Sequence, residues 1–314
     1  MSTVNCIILN WRTAEMTLRA AQFARTAMEG IEGAITIVDN DSQDGSFETI
    51  SEAAQSWPRV RVLQAGRNGG YGAGNNVGIR AGLPDGSKPD FVYILNSDAF
   101  PAPDAIRALV NHLEAHPETA FAGSYIHGED GAPHSTAFRF PSIASEFEGA
   151  AKTGPISKLL KNAIVAPDLP TETARVEWLA GASVLMRQSV LDQIGLFDET
   201  FFLYFEETDL FRRAARAGWH ADFVVESRVM HLGSVSTGMK EWQRVPSYWF
   251  ASRRYYFEKN HGRIYACGAT LAHIAGLGVY GVRVLLQRKK PHTPPHFLRD
   301  LVRHSVGTRL SQES

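Results

Sequence analysis

Four polar clusters carry the side chains best suited to chemistry. The first is Asp39-Asn40-Asp41-Ser42, after the apolar run Ala34–Val38. The second is Asn96-Ser97-Asp98, after Phe91–Leu95. The third is Glu206-Glu207-Thr208-Asp209, after the aromatic run Phe201–Phe205. The fourth is His231, which follows Ser227–Met230. Asp98 offers the hard oxygen that Mg²⁺ or Mn²⁺ prefers. His231 needs a partner to serve as a metal ligand, and Asp98 is the candidate. A cation held there would neutralise charge on a departing diphosphate. Asp39 can accept the N3–H of uracil or thymine, a donor that cytosine lacks. One carboxylate of the third cluster can take a proton from a hydroxyl as general base. Each cluster also has a plainer reading. Asp39–Ser42 is good turn chemistry, carboxylates are favoured in a first helical turn, and a lone histidine is usually a satisfied one.

The elements that position these residues follow from periodicity. Short apolar runs at Val4–Leu9, Ala34–Val38, Val60–Leu63 and Phe91–Leu95 read as buried strands. Helices are expected from Thr13 to about Met28, from Ser46 to about Gln55, and from the glycine-rich stretch Asn68–Asn76 to about Ala81. This alternation means a parallel sheet covered on both faces. Its strands share one C-terminal edge, where Asp39, Asn68 and Asp98 should converge. Further on, a helix to about His116, a strand at Ala120–Gly123, a turn into a strand over Glu177–Met186, a helix at Ser189–Ile194 and a helix from Glu206 to Ala217 are expected. Ala221–Val225 and Ser227–Met230 read as two strand segments. His127 to about Arg175 has weak periodicity and reads as an extended loop over the crevice, with Pro155–Leu169 able to hold a short helix. Val245–Lys259 and Ile264–Leu286 read as helices, the second nearly all apolar or glycine. The second is just long enough to span a bilayer, but its glycines and alanines favour a helix lying in the interface or docking on the core. The glycines lack a dinucleotide fingerprint: counted from Gly70 or Gly72, the third would fall at Asn75 or Val77. They are expected to let backbone approach a ligand.

Composition is that of a globular chain of 314 residues, 44% hydrophobic and 21% charged. Lys+Arg is 32 against 33 Asp+Glu, so overall charge favours no polyanion. The basic residues Arg283, Arg288, Lys289, Lys290, Arg299, Arg303 and Arg309 crowd the C-terminal end. Such a tail suits a membrane surface; no aromatic or groove-reading motif supports nucleic acid. Cys6 and Cys267 read as two buried thiols in a reducing compartment. Met1-Ser2-Thr3-Val4 has no signal-peptide character, so the expected location is the cytosol or the cytoplasmic face of a membrane.

Five motifs in order resemble the family 2 glycosyltransferases of the GT-A fold, over roughly residues 4–260. They are Val38–Ser42, Asn68–Asn76, Leu95–Asp98 (a DXD-type element), Trp178–Ala182 and Phe202–Leu210. The chain is most similar to bacterial rhamnosyltransferase-like enzymes. The resemblance implies an α/β fold with a mixed, mainly parallel, Rossmann-like sheet: a catalytic domain over 1–240 and a helical, basic region over 241–314. It implies an inverting, metal-dependent hexosyl transfer from a dTDP- or UDP-sugar to a glycan or polyprenyl-linked acceptor. The donor site would comprise Asn10, Asp39, Asp41, Arg67, Asn68, Gly72, Asn75, Asn96 and Asp98. Trp178, Gly181 and Ala182 would line the sugar and acceptor site, and Asp98 with His231 would hold Mg²⁺ or Mn²⁺. The family usually reads Glu-Asp where this chain has Glu206-Glu207, so the base is carried onto Glu207, with Glu206 and Asp209 as alternatives. The C-terminal helix and tail would sit at the inner membrane face, or serve as a core or homodimer helix. Two other readings are a sugar nucleotidyltransferase, for which Asn10-Trp11-Arg12-Thr13 is the wrong loop, and a binding protein without turnover.

Overall fold

Aliphatic runs that break into polar residues become the strands of one sheet, and the stretches between them become helices. The computed structural model describes residues 2–233, 243–288, 290 and 293–306. In chain order these are β1 (Thr3–Asn10), α1 (Ala14–Ala27), β2 (Glu32–Asp39), α2 (Ser46–Ala54), β3 (Val60–Gln64), α3 (Tyr71–Ala81), β4 (Phe91–Asn96) and β5 (Ala99–Pro101). Next come α4 (Ala105–Ala115), β6 (Thr119–His127), β7 (Ala137–Phe138), α5 (Ile143–Ala151) and α6 (Gly154–Leu159). Then follow β8 (Ala174–Val176), β9 (Trp178–Leu179), β10 (Ser183–Arg187), α7 (Gln188–Ile194), α8 (Glu206–Arg216) and β11 (His220–His231). The last are α9 (Ser247–His261), α10 (Arg263–Gln287) and α11 (Phe297–Val306). The chain divides into two compact units.

The first unit holds the described residues up to Phe138, Asp168–Phe202, and those from Glu206 to Gly233. Its sheet runs β3-β2-β1-β4-β10-β6-β11-β5, with β8 also on β11. β3, β2, β1 and β4 are mutually parallel. β10 runs antiparallel between β4 and β6, so the sheet is mixed but mainly parallel. Cys6 and Ile8 of β1 pack with Ile35, Ile37, Tyr93 and Leu95 and with Ala21 and Ala24 of α1. On the other face Asn5, fully buried, donates to the carbonyls of Gly78 (3.2 Å) and Gly82 (3.0 Å) and accepts from Thr36 (2.9 Å). It thereby satisfies the C-terminal end of α3, whose last carbonyls have no partner within the helix.

One expectation for this unit changes, and one strand appears that was not expected. Ala221–Val225 and Ser227–Met230 form one strand, β11, bulged between Val224 and Arg228. The bulge accommodates an irregular register without ending the strand. β5, three residues long, has too few positions to show a period, and it gains its place by pairing with β11.

The second unit holds Arg139–Pro167, Leu203–Phe205 and the described residues from 243 on. Residues 143–163, expected as extended loop with a short helix possible only within Pro155–Leu169, are α5, α6 and a short 3₁₀ turn. Ser142 caps α5 in a capping box with Ser145, its hydroxyl accepting from the Ser145 N–H at 3.1 Å. α5 lies along α10, where a Cβ on Gly276 would stand 2.5 Å from the Phe147 carbonyl oxygen. Glu146 of α5 accepts from Arg253 of α9 at 2.8 Å and from His273 of α10 at 2.6 Å. Residues 297–306, expected as basic tail, form α11, with Leu301 and Asp300 turned inward. Cys267, expected to be buried, is exposed, because it stands on the face of α10 opposite the buried Ala269; Cys6 is buried.

Candidate active site

Strand register assembles the first group. Asn10 pairs with Asp39 across β1 and β2, and Leu9 pairs with Asn96 across β1 and β4. Asp39 is fully buried. Its Oδ1 accepts from Asn10 Nδ2 at 2.7 Å and from Ser42 Oγ at 2.5 Å, and its Oδ2 accepts from the Ser42 N–H at 3.0 Å. Thr17 of α1 fixes Asn10 in turn, donating to its Oδ1 at 2.7 Å. Asp41 leaves the strand in left-handed backbone (φ 58°) and accepts from Gln43 at 2.9 Å. Asn68 accepts from Asn40 Nδ2 at 2.9 Å and from the Gly70 N–H at 3.0 Å, which ties the turn after β3 to the end of β2. Arg67 reaches outward to Glu199 at 3.5 Å.

The pairing of β5 with β11 assembles the second group. His231 stands opposite Ala99, and the Leu232 N–H donates to the Asp98 carbonyl at 3.1 Å. His231 Nε2 therefore lies 3.0 Å from Asp98 Oδ1 and 3.4 Å from Asn96 Nδ2. Asp98 and His231 are thus brought together across 133 positions of sequence. A carboxylate oxygen and an imidazole nitrogen this close form a donor pair that suits a divalent cation.

The third group surrounds the start of α8. Tyr204 and Phe205 lead into it with φ of 68° and 69°. Left-handed backbone in two successive non-glycine residues costs on the order of 1–3 kcal/mol each. Glu206 and Glu207 occupy the first turn, and both carboxyls are raised above the ordinary range. For Glu206 the cause is burial, then the charge of Glu207, and the rise is large. For Glu207 the cause is burial, opposed by its own N–H and that of Gly181. The positive end of a helix favours an anion by only about 0.3–1 kcal/mol, so burial prevails. Among the described residues, one oxygen of each carboxylate has no hydrogen-bond partner.

Asp209 differs. It is fully buried and accepts from Arg213 Nε at 2.9 Å, while Arg213 also holds the carbonyls of Ile194 and Leu196, each at 2.6 Å. It anchors the turn after α7.

Tyr71, a residue not singled out from sequence, links the groups. Its hydroxyl donates to the Gly181 carbonyl at 2.6 Å, and the N–H of the same residue donates to Glu207. Its phenol is pushed well up by burial, then by the charges of Glu207 and Glu206, with Asp98 contributing last. An aromatic inside a glycine run was the available signal. The glycines around it press against protein, not open space. A Cβ on Gly70 would meet the Phe202 carbonyl oxygen at 1.8 Å, and one on Gly72 would meet Phe197 Cβ at 2.9 Å. Asn75 is buried and donates to the Tyr71 carbonyl at 3.0 Å. Trp178 stacks on Phe138 at 4.3 Å, and the Ala182 carbonyl accepts from the Asn96 N–H at 3.0 Å.

Residues 28–164 match the family described as Glycosyl transferase family 2. N-acetylglucosaminyl-diphospho-decaprenol L-rhamnosyltransferase of Mycobacterium tuberculosis (strain ATCC 25618 / H37Rv) is 33% identical over 214 residues, 65% of this chain and 68% of that protein. The chain belongs to glycosyltransferase family 2. Rhamnosyltransferase WbbL of Escherichia coli (strain K12) is 24% identical over 198 residues, 62% of this chain and 72% of that one. Among solved structures, GalNAc-T7 with UDP, GalNAc and Mn²⁺ superposes with a TM-score of 0.52 at 14% identity, over 83% of this chain and 51% of that one. At that identity the likeness speaks for the fold, which is GT-A. Within this family 2 chain the matched span contains Asp39, Asn68 and Asp98, while Glu207 and His231 lie beyond it.

Proposed function

We propose that this glycosyltransferase moves a sugar, rhamnose foremost, from a dTDP- or UDP-linked donor to a hydroxyl of a glycan or polyprenyl-linked acceptor. The work belongs to cell-surface polysaccharide synthesis at the cytoplasmic face of a membrane. The observation that carries the reading is that one turn, Gly181–Ala182, touches both groups: the Gly181 N–H meets Glu207, and the Ala182 carbonyl accepts from the N–H of Asn96, whose side chain lies 3.4 Å from the His231 paired with Asp98.

The reaction is a single displacement with inversion. The acceptor oxygen forms a bond to the anomeric carbon as the bond from that carbon to the diphosphate oxygen breaks. The acceptor proton passes to Glu207, whose raised carboxyl makes it a better base than an exposed glutamate. Burial raises both carboxyls and the Glu207 charge raises Glu206 as well, so the two titrate as a pair, and the first proton lost leaves one carboxylate to act as base. Tyr71 holds the Gly181 peptide, and that peptide's N–H aims the Glu207 carboxylate. Asp39 and Asn10 receive the pyrimidine edge; Asp39 Oδ2, engaged by Ser42 N–H, retains capacity for one more donor. Asn96 faces the ribose, with Asn68 and Asp41 at the same edge. Asp98 and His231 would hold Mg²⁺ or Mn²⁺, which would neutralise charge on the leaving diphosphate. Among the described residues no third His, Cys, Asp or Glu joins them, so the cation would take its other oxygen ligands from outside these side chains. Trp178, Gly181 and Ala182 border the sugar.

A donor panel tests this. dTDP-rhamnose, UDP-sugars and GDP-mannose are each supplied with Mn²⁺ or with EDTA, and nucleoside diphosphate release is measured. Release from dTDP- or UDP-sugars, lost in EDTA and lowered about 10²–10⁴-fold in Glu207→Gln, is the expected result. A preference for GDP-mannose would overturn the role of Asp39. Full activity in EDTA would overturn that of Asp98 and His231. Donor binding with Glu207→Gln equal to wild type would leave a binding protein.

A further inference from the structure

α10 has two faces of opposite character. One face packs within the second unit: Ala266, Ala269, Thr270, Gly276 and Tyr280 are buried, and His273 bonds Glu146. The other face is an unbroken apolar stripe. At 100° per residue, Ile264, Cys267, Leu271, Ala275, Gly278, Val282 and Leu285 fall within about 80° of arc, and Val279 and Leu286 widen it to about 120°. All nine are exposed: Ile264 is 93%, Leu271 61%, Leu285 78% and Leu286 77% open. The stripe is about 33 Å long, at 1.5 Å per residue. α11 extends it, with Leu298 and Val302 exposed beside Arg299 and Arg303. Leu271 and Val302 line one groove of about 370 Å³, with Arg263 and Arg254 in its wall.

By length and apolar character α10 can cross a membrane, with 22% of its most apolar window buried. Its inner face argues against crossing. That face bears His273 in a buried ion cluster and a glycine pressed on the α5 backbone, which lipid cannot replace. A helix held by protein on one side and bare on the other fits the plane of an interface.

The charges choose the occupant. Arg263 stands at one end of α10, Arg288 and Lys290 at the other, and Arg299 and Arg303 on α11; all are exposed. Among the described residues of α9–α11 the acidic groups are Glu258 and Asp300, bonded to Arg254 and Arg244 at 2.8 and 2.6 Å. A second copy laid on the stripe, parallel or antiparallel, would set cation against cation. An anionic lipid surface would meet each cation with a phosphate and the stripe with acyl chains. We infer that the outer faces of α10 and α11 form an interfacial plate that lies on an anionic bilayer without spanning it. A lipid-linked acceptor gives this plate a purpose, but vesicles without acceptor test it separately from sugar transfer.

The exposed Cys267 provides the probe. The full-length chain, labelled there with an environment-sensitive fluorophore, is mixed with vesicles of phosphatidylcholine alone or with added phosphatidylglycerol. Flotation with the anionic vesicles, a blue shift of the label, and weakening by salt are expected. Leu271→Asp and Leu285→Asp should each lower partition about tenfold or more. Arg299→Glu with Arg303→Glu should narrow the difference between the two vesicle types. Equal binding to both vesicle types, or none, overturns the inference. So does a blue shift that appears on self-association, without vesicles, and is lost in Leu285→Asp; that result puts a second copy on the stripe.

Discussion

Three carboxylates crowd one helical turn, and their residue types and spacing do not rank them. Asp209 meets Arg213 four positions on and is spent on the fold, whereas Glu206 and Glu207 keep an oxygen without a partner among the described residues. The difference is one of environment, which spacing does not encode. It has a kinetic consequence. A base must be unprotonated, and burial raises Glu207 above its ordinary 4.5. Transfer is therefore expected to fall as the medium is acidified through that raised value, giving an acid limb in kcat whose midpoint lies above 4.5. A kcat–pH profile at saturating donor, acceptor and Mn²⁺ checks it. The limb should vanish from the residual activity of Glu207→Gln. A midpoint at or below the ordinary value would take the base role from Glu207. Asp39, Asn96 and Asp98 were legible as candidates because each stands where an apolar run breaks. Tyr71 was not, because its importance lies in a bond to residue 181.

At the scale of elements, the early strands and helices were legible within a residue or two, since each has its own period and its own stop. β5 and α5 were not. β5 depends on β11, and α5 on α10, and partners more than a hundred positions away leave no local trace. The glycine-rich entry to α3 was legible as special, but the expected reason was a ligand. The structure supplies a different one: the Phe202 carbonyl accepts from the Tyr71 N–H at 3.0 Å, and only a residue without Cβ fits at Gly70 beneath it. Gly70 also has φ 88° and ψ −175°, a conformation nearly reserved for glycine. Gly70→Ala should thus cost more than backbone strain of about 1–3 kcal/mol. Gly66→Ala supplies the comparison, for Gly66 has φ 75° with nothing within 4 Å of the added atom. Thermal unfolding of the two variants is the measurement. Gly70→Ala should lose at least about 5 °C and lower kcat, while Gly66→Ala loses less and keeps kcat. Equal losses would mean that the close approach to Phe202 contributes nothing.

At the scale of the molecule, the chain makes two units, and the second is discontinuous in sequence. Its ion cluster shows why residues 139–167 fold with helices near the C-terminus. Arg253 is 2% exposed, and a guanidinium so deeply buried requires a counter-charge, which Glu146 supplies. Neither residue stands out alone, since one glutamate and one arginine at such separation look like solvated charges. Their pairing makes the second unit acid-labile. Burial alone would raise Glu146, but the Arg253 charge and the bonds from His273 and Arg253 outweigh it and hold the carboxyl below 4.5. A carboxyl depressed in the fold contributes stability above its unfolded pKa and loses that contribution as pH falls through the folded one. The loss therefore begins near 4.5 and grows below it. Hydrogen exchange of α9 and α10 amides isolates this unit from the first. Their protection should drop on acidification, and Glu146→Gln should weaken it at neutral pH by about 3 kcal/mol, because Arg253 is left buried with its charge uncompensated. In that variant the acid dependence should flatten, since the titrating group is gone. Undiminished protection in Glu146→Gln would mean that Thr270, which accepts from Arg253 at 3.3 Å, and the ring of Phe257, 5.2 Å from its guanidinium, suffice to hold Arg253 without a carboxylate.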